Sequence, residues 1–329
     1  MSKTGRPAVS TEGADAIPDR SAIFGLDFLT VLRISGGDAL AWLQGQLTAD
    51  LAEVDASTSR IAAWCSPKGR VLAIFRVLAD PGGGYRLVCE RWFTAALLAR
   101  LRMFILRSDV RIDDASDTLR VAGVEGAGAL PDRFRTWAET AGVDDAATIG
   151  EMVVARVPGH HPRFMMTGPL DRVASIVAAQ PTDDAPRTIS GAWRFADICA
   201  GVARVSEAMS DAFLPQMLNL DRFGGVSFEK GCYVGQEIVA RAQHLGRVKR
   251  RAWVGWTDMA AEGDAVVDGA ADEAPKVGDI VAAEPHPDNG SVVFVVLNIS
   301  SAGSPELRVR GPDGPLIGIS SSADPIPPD

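Results

Sequence analysis

The chain has 329 residues, 47% hydrophobic and 23% charged, with a formal net charge of −9. That acidity argues against a surface that binds nucleic acid non-specifically, because such binding runs on phosphate neutralisation. The length suits two or three domains, and the apolar content supplies ample material for their cores.

Residues 1–20 are polar and rich in Gly, Pro and Asp, which reads as a disordered leader and not as a signal peptide. Ser35-Gly36-Gly37-Asp38 is the expected start of a helix, with Ser35 as N-cap and Leu40, Leu43 and Leu47 on one face. Arg60–Cys65 and Arg70–Leu78 read as strands around a Ser66-Pro67-Lys68-Gly69 turn. Tyr85–Cys89 continues the strand pattern. Arg91–Ile105 then takes helical periodicity, with Phe93, Leu97, Leu101 and Phe104 on its stripe. Strands are expected at Leu119–Val124, Met152–Val157 and Arg163–Thr167. Helices are expected at Asp132–Ala141, Pro169–Ala179 and Gly191–Ala200. This interleaving predicts an α+β fold.

Gly224–Arg251 reads GGVSFEKGCYVGQEIVARAQHLGRVKRR. Val226–Phe228 suits a short strand and Gly231 a tight turn. From Gly235 the pattern turns helical, with Gly246 placed as the stop. Cys232 then lies just ahead of a helix N-terminus and two residues after Lys230, and both features favour a thiolate. Such a cysteine suits a nucleophile, a redox thiol or a transient metal ligand, and equally a small buried residue. Glu237, in the first turn, complements the helix dipole. The basic run Arg247, Lys249, Arg250 and Arg251 reads as a solvated face or as a contact for an anionic partner.

After Arg251 helical periodicity disappears. Short runs at Ala252–Trp256, Asp279–Ala283, Ser291–Ile299, Leu307–Arg310 and Leu316–Ile319 predict a small antiparallel barrel or sandwich. Ala260–Pro275 reads as an exposed loop, and residues 323–329 as a frayed tail. The four cysteines, Cys65, Cys89, Cys199 and Cys232, form no CxxC pair and have no histidine at zinc-ligand spacing. Reduced thiols in a cytoplasmic protein, with no metal, are therefore expected. No uncharged apolar run approaches the roughly 18 residues that a membrane span needs.

The string KGCYVGQEIVAR, at Lys230–Arg241, resembles the signature of the YgfZ family, a branch of the GcvT aminomethyltransferase superfamily. Three further segments resemble that family in order and spacing: Trp42–Asp50 with its Gln44-Gly45-Gln46, Cys65–Arg70 with Lys68-Gly69, and Phe213–Leu220 with Pro215, Gln216 and Asn219. The resemblance implies a three-subdomain ring around a central channel, with a C-terminal antiparallel β-barrel. It places two interwoven α+β subdomains in residues 21–246 and the barrel in 247–322.

The resemblance also implies a tetrahydrofolate-type ligand and a role in iron–sulfur cluster assembly or repair, felt by enzymes that modify tRNA. The expected partners are iron–sulfur proteins or cluster-assembly factors, without direct tRNA binding. Cys232 would carry the thiol chemistry, tuned by Lys230 and framed by Gly231, Tyr233, Gly235, Gln236, Glu237 and Lys68. Trp193 falls where family members place a folate-contacting tryptophan. Leu29, beside Phe28, stands where they place an aromatic. Gln44, Gln46 and Gln216 would offer amide hydrogen bonds. The folate-using transferases carry a glutamate two residues before the glycine of an Ala-Gly pair. Here that position is Cys199, with Asp197 two residues earlier. Neither that glutamate nor a match to the transferases' assisting aspartate is present, so a protein without turnover of its own is expected. A folate-dependent one-carbon transferase is the alternative.

Overall fold

Valine- and leucine-rich runs of four to ten residues form most of the regular structure, and the helices between them are short. A computed structural model describes residues 22–179, 189–244, 248–286 and 289–320. The expected leader, Gly246, Arg247 and the tail lie outside the described residues.

In chain order, β1 (Ala22–Gly25) and β2 (Leu29–Ser35) precede α1 (Ala39–Gln46), β3 (Arg60–Cys65), β4 (Val71–Ala79) and β5 (Tyr85–Glu90). A 3-10 turn at Arg91–Phe93 leads into α2 (Thr94–Arg102), then β6 (Arg111–Asp114) and β7 (Leu119–Glu125). There follow α3 (Asp132–Ala138), β8 (Ala146–Ile149), β9 (Met152–Val157), β10 (Arg163–Pro169), α4 (Leu170–Ala178) and α5 (Ile189–Cys199). After a 3-10 turn at Pro215–Leu218 comes α6 (Gln236–His244). The last part holds β11 (Arg250–Thr257), β12 (Ala265–Asp268), β13 (Lys276–Pro285), β14 (Ser291–Asn298), β15 (Leu307–Val309) and β16 (Gly318–Ile319).

These strands build three antiparallel sheets, ordered β3-β4-β5-β2-β6, β1-β7-β10-β9-β8 and β15-β12-β13-β14-β11-β16. The chain begins in the second sheet, crosses into the first at β2 and returns at β7, so the two sheets are interwoven in sequence. The third sheet curls into a half-barrel: Leu316 bridges to Arg308 at one edge, while Gly318 and Ile319 pair with Trp256 and Gly255 at the other.

The expected α+β class holds. Several local expectations do not. Ser35 ends β2, and Asp38 precedes α1 without capping it by its side chain. In that eight-residue helix Leu43 is buried while Leu40 is exposed, because the buried stripe runs through Ala39, Trp42, Leu43 and Gln46. On α2 the stripe is Leu97, Leu98 and Leu101, and Phe104 lies partly exposed beyond the helix end. Val226–Phe228 is not a strand; it runs past Thr48, whose carbonyl accepts the Ser227 N–H at 2.9 Å. The expected loop Ala260–Pro275 contains β12, whose Val266 and Val267 are buried against β13 and β15. Arg250 and Arg251 form no free basic face. Arg250 pairs with Asp279 at 2.6 Å, and Arg251 grips Asp221 through both guanidinium nitrogens at 2.9 and 2.7 Å. β1, β2, β6 and β8 had no counterpart in the sequence reading; β1, β6 and β8 are only four residues each.

The helix α5 sits where the sheets meet. Trp193 packs with Leu29, Val31 and Val88 of the first sheet and with Val121, Val153 and Ala155 of the second. Phe195, Ile198 and Cys199, on its other face, join a core with Ile61 and Ala63 of β3 and Val292, Phe294 and Val296 of β14. An 11-residue amphipathic helix thus serves two cores, which the 3.6-residue period permits.

Candidate functional site

Two places gather the residues singled out in the sequence. The first is a largely apolar cavity at the junction of the sheets. Leu29, Trp193 and Asp197 all line it, together with Glu90, Trp92 and Arg204. Antiparallel register puts Leu29 opposite Glu90, so their side chains share one face of the sheet. Trp193 is fully buried because Gly123 of β7 leaves room for it; a Cβ there would collide with the indole ring. The Arg163 guanidinium lies 3.9 Å from the centre of that ring, within cation–π range.

The charges around this cavity are matched. Asp197 accepts from Arg163 at 2.9 Å and from Arg204 at 3.2 Å. Arg204 also bonds Glu90 Oε1. Phe28 lies between two guanidiniums, Arg194 at 4.5 Å and Arg204 at 4.2 Å from its ring centre. Burial pushes the Glu90 carboxyl above its ordinary range, and the neighbouring arginines pull it partly back. Burial raises Glu284 as well, with Arg194 3.9 Å away as its nearest cation. Carboxylates so placed are acceptors held in a low-dielectric setting, and cost free energy whenever a partner is lost.

The second place is the loop before α6. Gly69 and Gly235, both in left-handed conformation at φ +70° and +83°, meet backbone to backbone. A Cβ on Gly235 would sit 2.5 Å from the Ser66 carbonyl oxygen and 2.8 Å from the Gly69 Cα. The Lys68-Gly69 turn and the Tyr233–Gln236 turn therefore form one packed unit. Lys230 ties a third motif to them: its Nζ donates to the Leu47 carbonyl at 2.8 Å and to the Ala49 carbonyl at 2.7 Å. Thr48, between those two residues, accepts the Ala63 N–H at 2.9 Å and donates its hydroxyl to the Gly225 carbonyl at 2.5 Å. Partial burial brings the Lys230 ammonium pKa down to about 8. Tyr233 is buried 5.4 Å beneath that ammonium, and burial raises its phenol.

Cys232 is exposed, unlike Cys65, Cys89 and Cys199, which are buried. Burial drives the Cys65 and Cys89 thiols well above their ordinary range and makes them inert. Gly231 and Lys68 are exposed beside the loop, and Gln236 Oε1 lies 3.3 Å from the Tyr233 N–H. Glu237 pairs with Arg241 at 2.9 Å one turn on.

The structure therefore separates the expected residues. Leu29, Trp193 and Asp197 share the cavity, and Cys232 is not among its lining residues. Gln44 donates to Asp50 at 2.6 Å, and Gln216 donates to the Val239 carbonyl at 2.7 Å, tying the Pro215 turn to α6. The side-chain carbonyls of Gln44, Gln46 and Gln216 are buried without a partner among the described residues, and none of the three lines the cavity. The buried Cys199 faces the core shared with the half-barrel. Sequence reasoning missed Glu90, Arg163 and Arg204. Their signal was a charged residue closing or interrupting an apolar run, as in Leu87-Val88-Cys89-Glu90 and Val202-Ala203-Arg204-Val205.

Among the described residues no group of three His, Cys, Asp or Glu is placed to hold a metal ion, and no helix is long and apolar enough to cross a membrane.

No family model matches the chain. Its sequence is 32% identical over 304 residues to the tRNA-modifying protein YgfZ of Klebsiella pneumoniae (strain 342), spanning 88% of this chain and 89% of that protein. It is 30% identical over 302 residues to the tRNA-modifying protein YgfZ of Enterobacter sp. (strain 638), with the same coverage of each. Among solved structures, the glycine cleavage system aminomethyltransferase T from Bartonella henselae superposes with a TM-score of 0.72. It covers 92% of this chain and 86% of that one at 14% identity, a likeness of fold.

Proposed function

The chain belongs to the YgfZ family, and from that premise we propose that it binds a tetrahydrofolate-type ligand and supports iron–sulfur cluster assembly or repair in the cytosol, and through it tRNA modification. The observation that carries this reading is the convergence of Leu29, Trp193 and Asp197, from β2 and α5, on one largely apolar cavity. A pterin ring requires an apolar or aromatic slot with a few fixed polar groups, and this cavity offers both. The ring-like arrangement of subdomains around a channel, with a closed C-terminal barrel, belongs to the same proposal.

In this reading Cys232 supplies an accessible thiol and Lys230 holds its loop against α1. Clients are iron–sulfur proteins or their assembly factors. Direct tRNA contact is not proposed, because the chain is acidic and Arg250 and Arg251 are engaged in ion pairs. Isothermal titration with 5-formyltetrahydrofolate tests the ligand. Saturable binding that Trp193→Phe weakens is expected, and no heat of binding from the wild-type chain would remove the folate reading. Stoichiometric one-carbon transfer to tetrahydrofolate would instead move the assignment to a transferase.

A further inference from the structure

The carboxylate that expectation assigned to the cavity, Asp197, is already used. Both its oxygens accept from arginines, Oδ1 from Arg163 and Oδ2 from Arg204. Glu90 differs. It closes β5 on the cavity wall, directly opposite Leu29, and only its Oε1 is engaged, by Arg204. Its Oε2 has no protein partner among the described residues, although the side chain is 19% exposed. An ionised carboxylate can only accept, so the half-engaged one on this cavity wall has lone pairs free to take a donor from a ligand. Leu29, Val88 and Trp193 supply the flat apolar surroundings.

We infer that Glu90 is the residue that recognises the heteroaromatic end of the cavity's ligand, by accepting from an edge with two adjacent N–H donors, such as the ring N–H and amino group of a 2-amino-4-oxo ring. Arg204 acts as the positioning residue. It holds Oε1 by charge and stacks on Phe28 at 4.2 Å, which fixes the carboxylate over the cavity. This assignment rests on the folate reading and deepens it, because it names the group that selects the ring. A carboxylate that accepts one N–H at Oε2 and a second at the remaining lone pair of Oε1 makes a strong and directional contact. It discriminates against ligands that lack the second donor, since these forfeit one charge-assisted hydrogen bond.

The test uses the full chain with three probes: 5-formyltetrahydrofolate, 6-methyltetrahydropterin and p-aminobenzoylglutamate. Glu90→Gln keeps the side-chain volume but turns one acceptor into a donor facing the ligand's own donors. It should weaken the first two probes by about ten- to a hundredfold, the range expected for a charge-assisted hydrogen bond, and leave p-aminobenzoylglutamate unchanged. Glu90→Asp keeps the charge beside Arg204 but falls short by one methylene, and should show the same selective loss. Equal weakening of all three probes would make Glu90 a structural residue and overturn the assignment. So would unchanged pterin binding in both variants, while leaving folate binding intact. A wild-type chain that takes up neither folate nor pterin would overturn the folate reading, and this assignment with it.

Discussion

The cavity around Trp193 and the loop around Cys232 solve opposite problems. At the cavity, charges are buried and must be matched: Arg163, Asp197, Arg204 and Glu90 form one continuous ionic chain. At the loop, the Cys232 side chain is exposed and the backbone around it is fixed, by Gly69, Gly235 and the two carbonyls that hold Lys230. Binding a ligand by shape needs a rigid, preformed wall. Offering a thiol to a macromolecular client needs access instead. Mutations should therefore unfold the first region and merely silence the second.

The largest effect should come from Asp197→Ala. It leaves the buried Arg163 guanidinium without its carboxylate and Arg204 with Glu90 alone, and should cost about 3–5 kcal/mol; chemical denaturation measures it. A loss under 1 kcal/mol would show that the network is wetter than the structure indicates and would blur the contrast. Gly235→Ala comes next. It places a methyl group against the Ser66 carbonyl and puts a non-glycine residue at φ +83°, a conformation that alone costs about 1–3 kcal/mol. Here the loop's framework behaves like a core, so a large loss sharpens the division between backbone and side chain.

Lys230 gives a pH test of the same point. Its folded pKa is about 8, below its ordinary 10.5, because burial disfavours the charge. Between those values the unfolded chain holds a proton that the folded chain has released, so stability contributed by Lys230 rises with pH there. Below pH 8 both states are protonated and the contribution is flat. Denaturation midpoints across this range should rise more steeply for the wild type than for Lys230→Met. Parallel curves would place the ammonium in solvent.

The smallest effect on stability should be that of Cys232→Ser, within about 0.5 kcal/mol, as for ordinary surface substitutions. The activity of iron–sulfur enzymes in cells carrying the variant should nevertheless fall. Full activity with this variant would remove the thiol from the proposal and leave the cavity as the functional site. A large loss of stability would instead show that Cys232 serves packing, like Cys65 and Cys89.

Periodicity alone gave the α+β class, the Ser66–Gly69 turn and α5–α6 to within a few residues, since these depend on local hydrophobic spacing and turn chemistry. Motif strings alone led to the family and to Cys232. Neither could show that Lys230 bonds Leu47 and Ala49, nearly two hundred residues away in sequence, or that Gly69 and Gly235 meet at their backbones. Four-residue strands such as β1, β6 and β8 escaped because so short a run carries almost no period; sheet partners stabilise it. Glu90 escaped for a related reason. A glutamate at the end of a strand reads as solvated until the register sets it against Leu29 and the fold brings Arg204 and Trp193 around it. The sequence determined the turn and the helix start that present Cys232, because a glycine turn and a helix start are local events. Only the tertiary structure decided which carboxylate stands half-engaged in the cavity, because burial and partnership are properties of residues far apart in the chain.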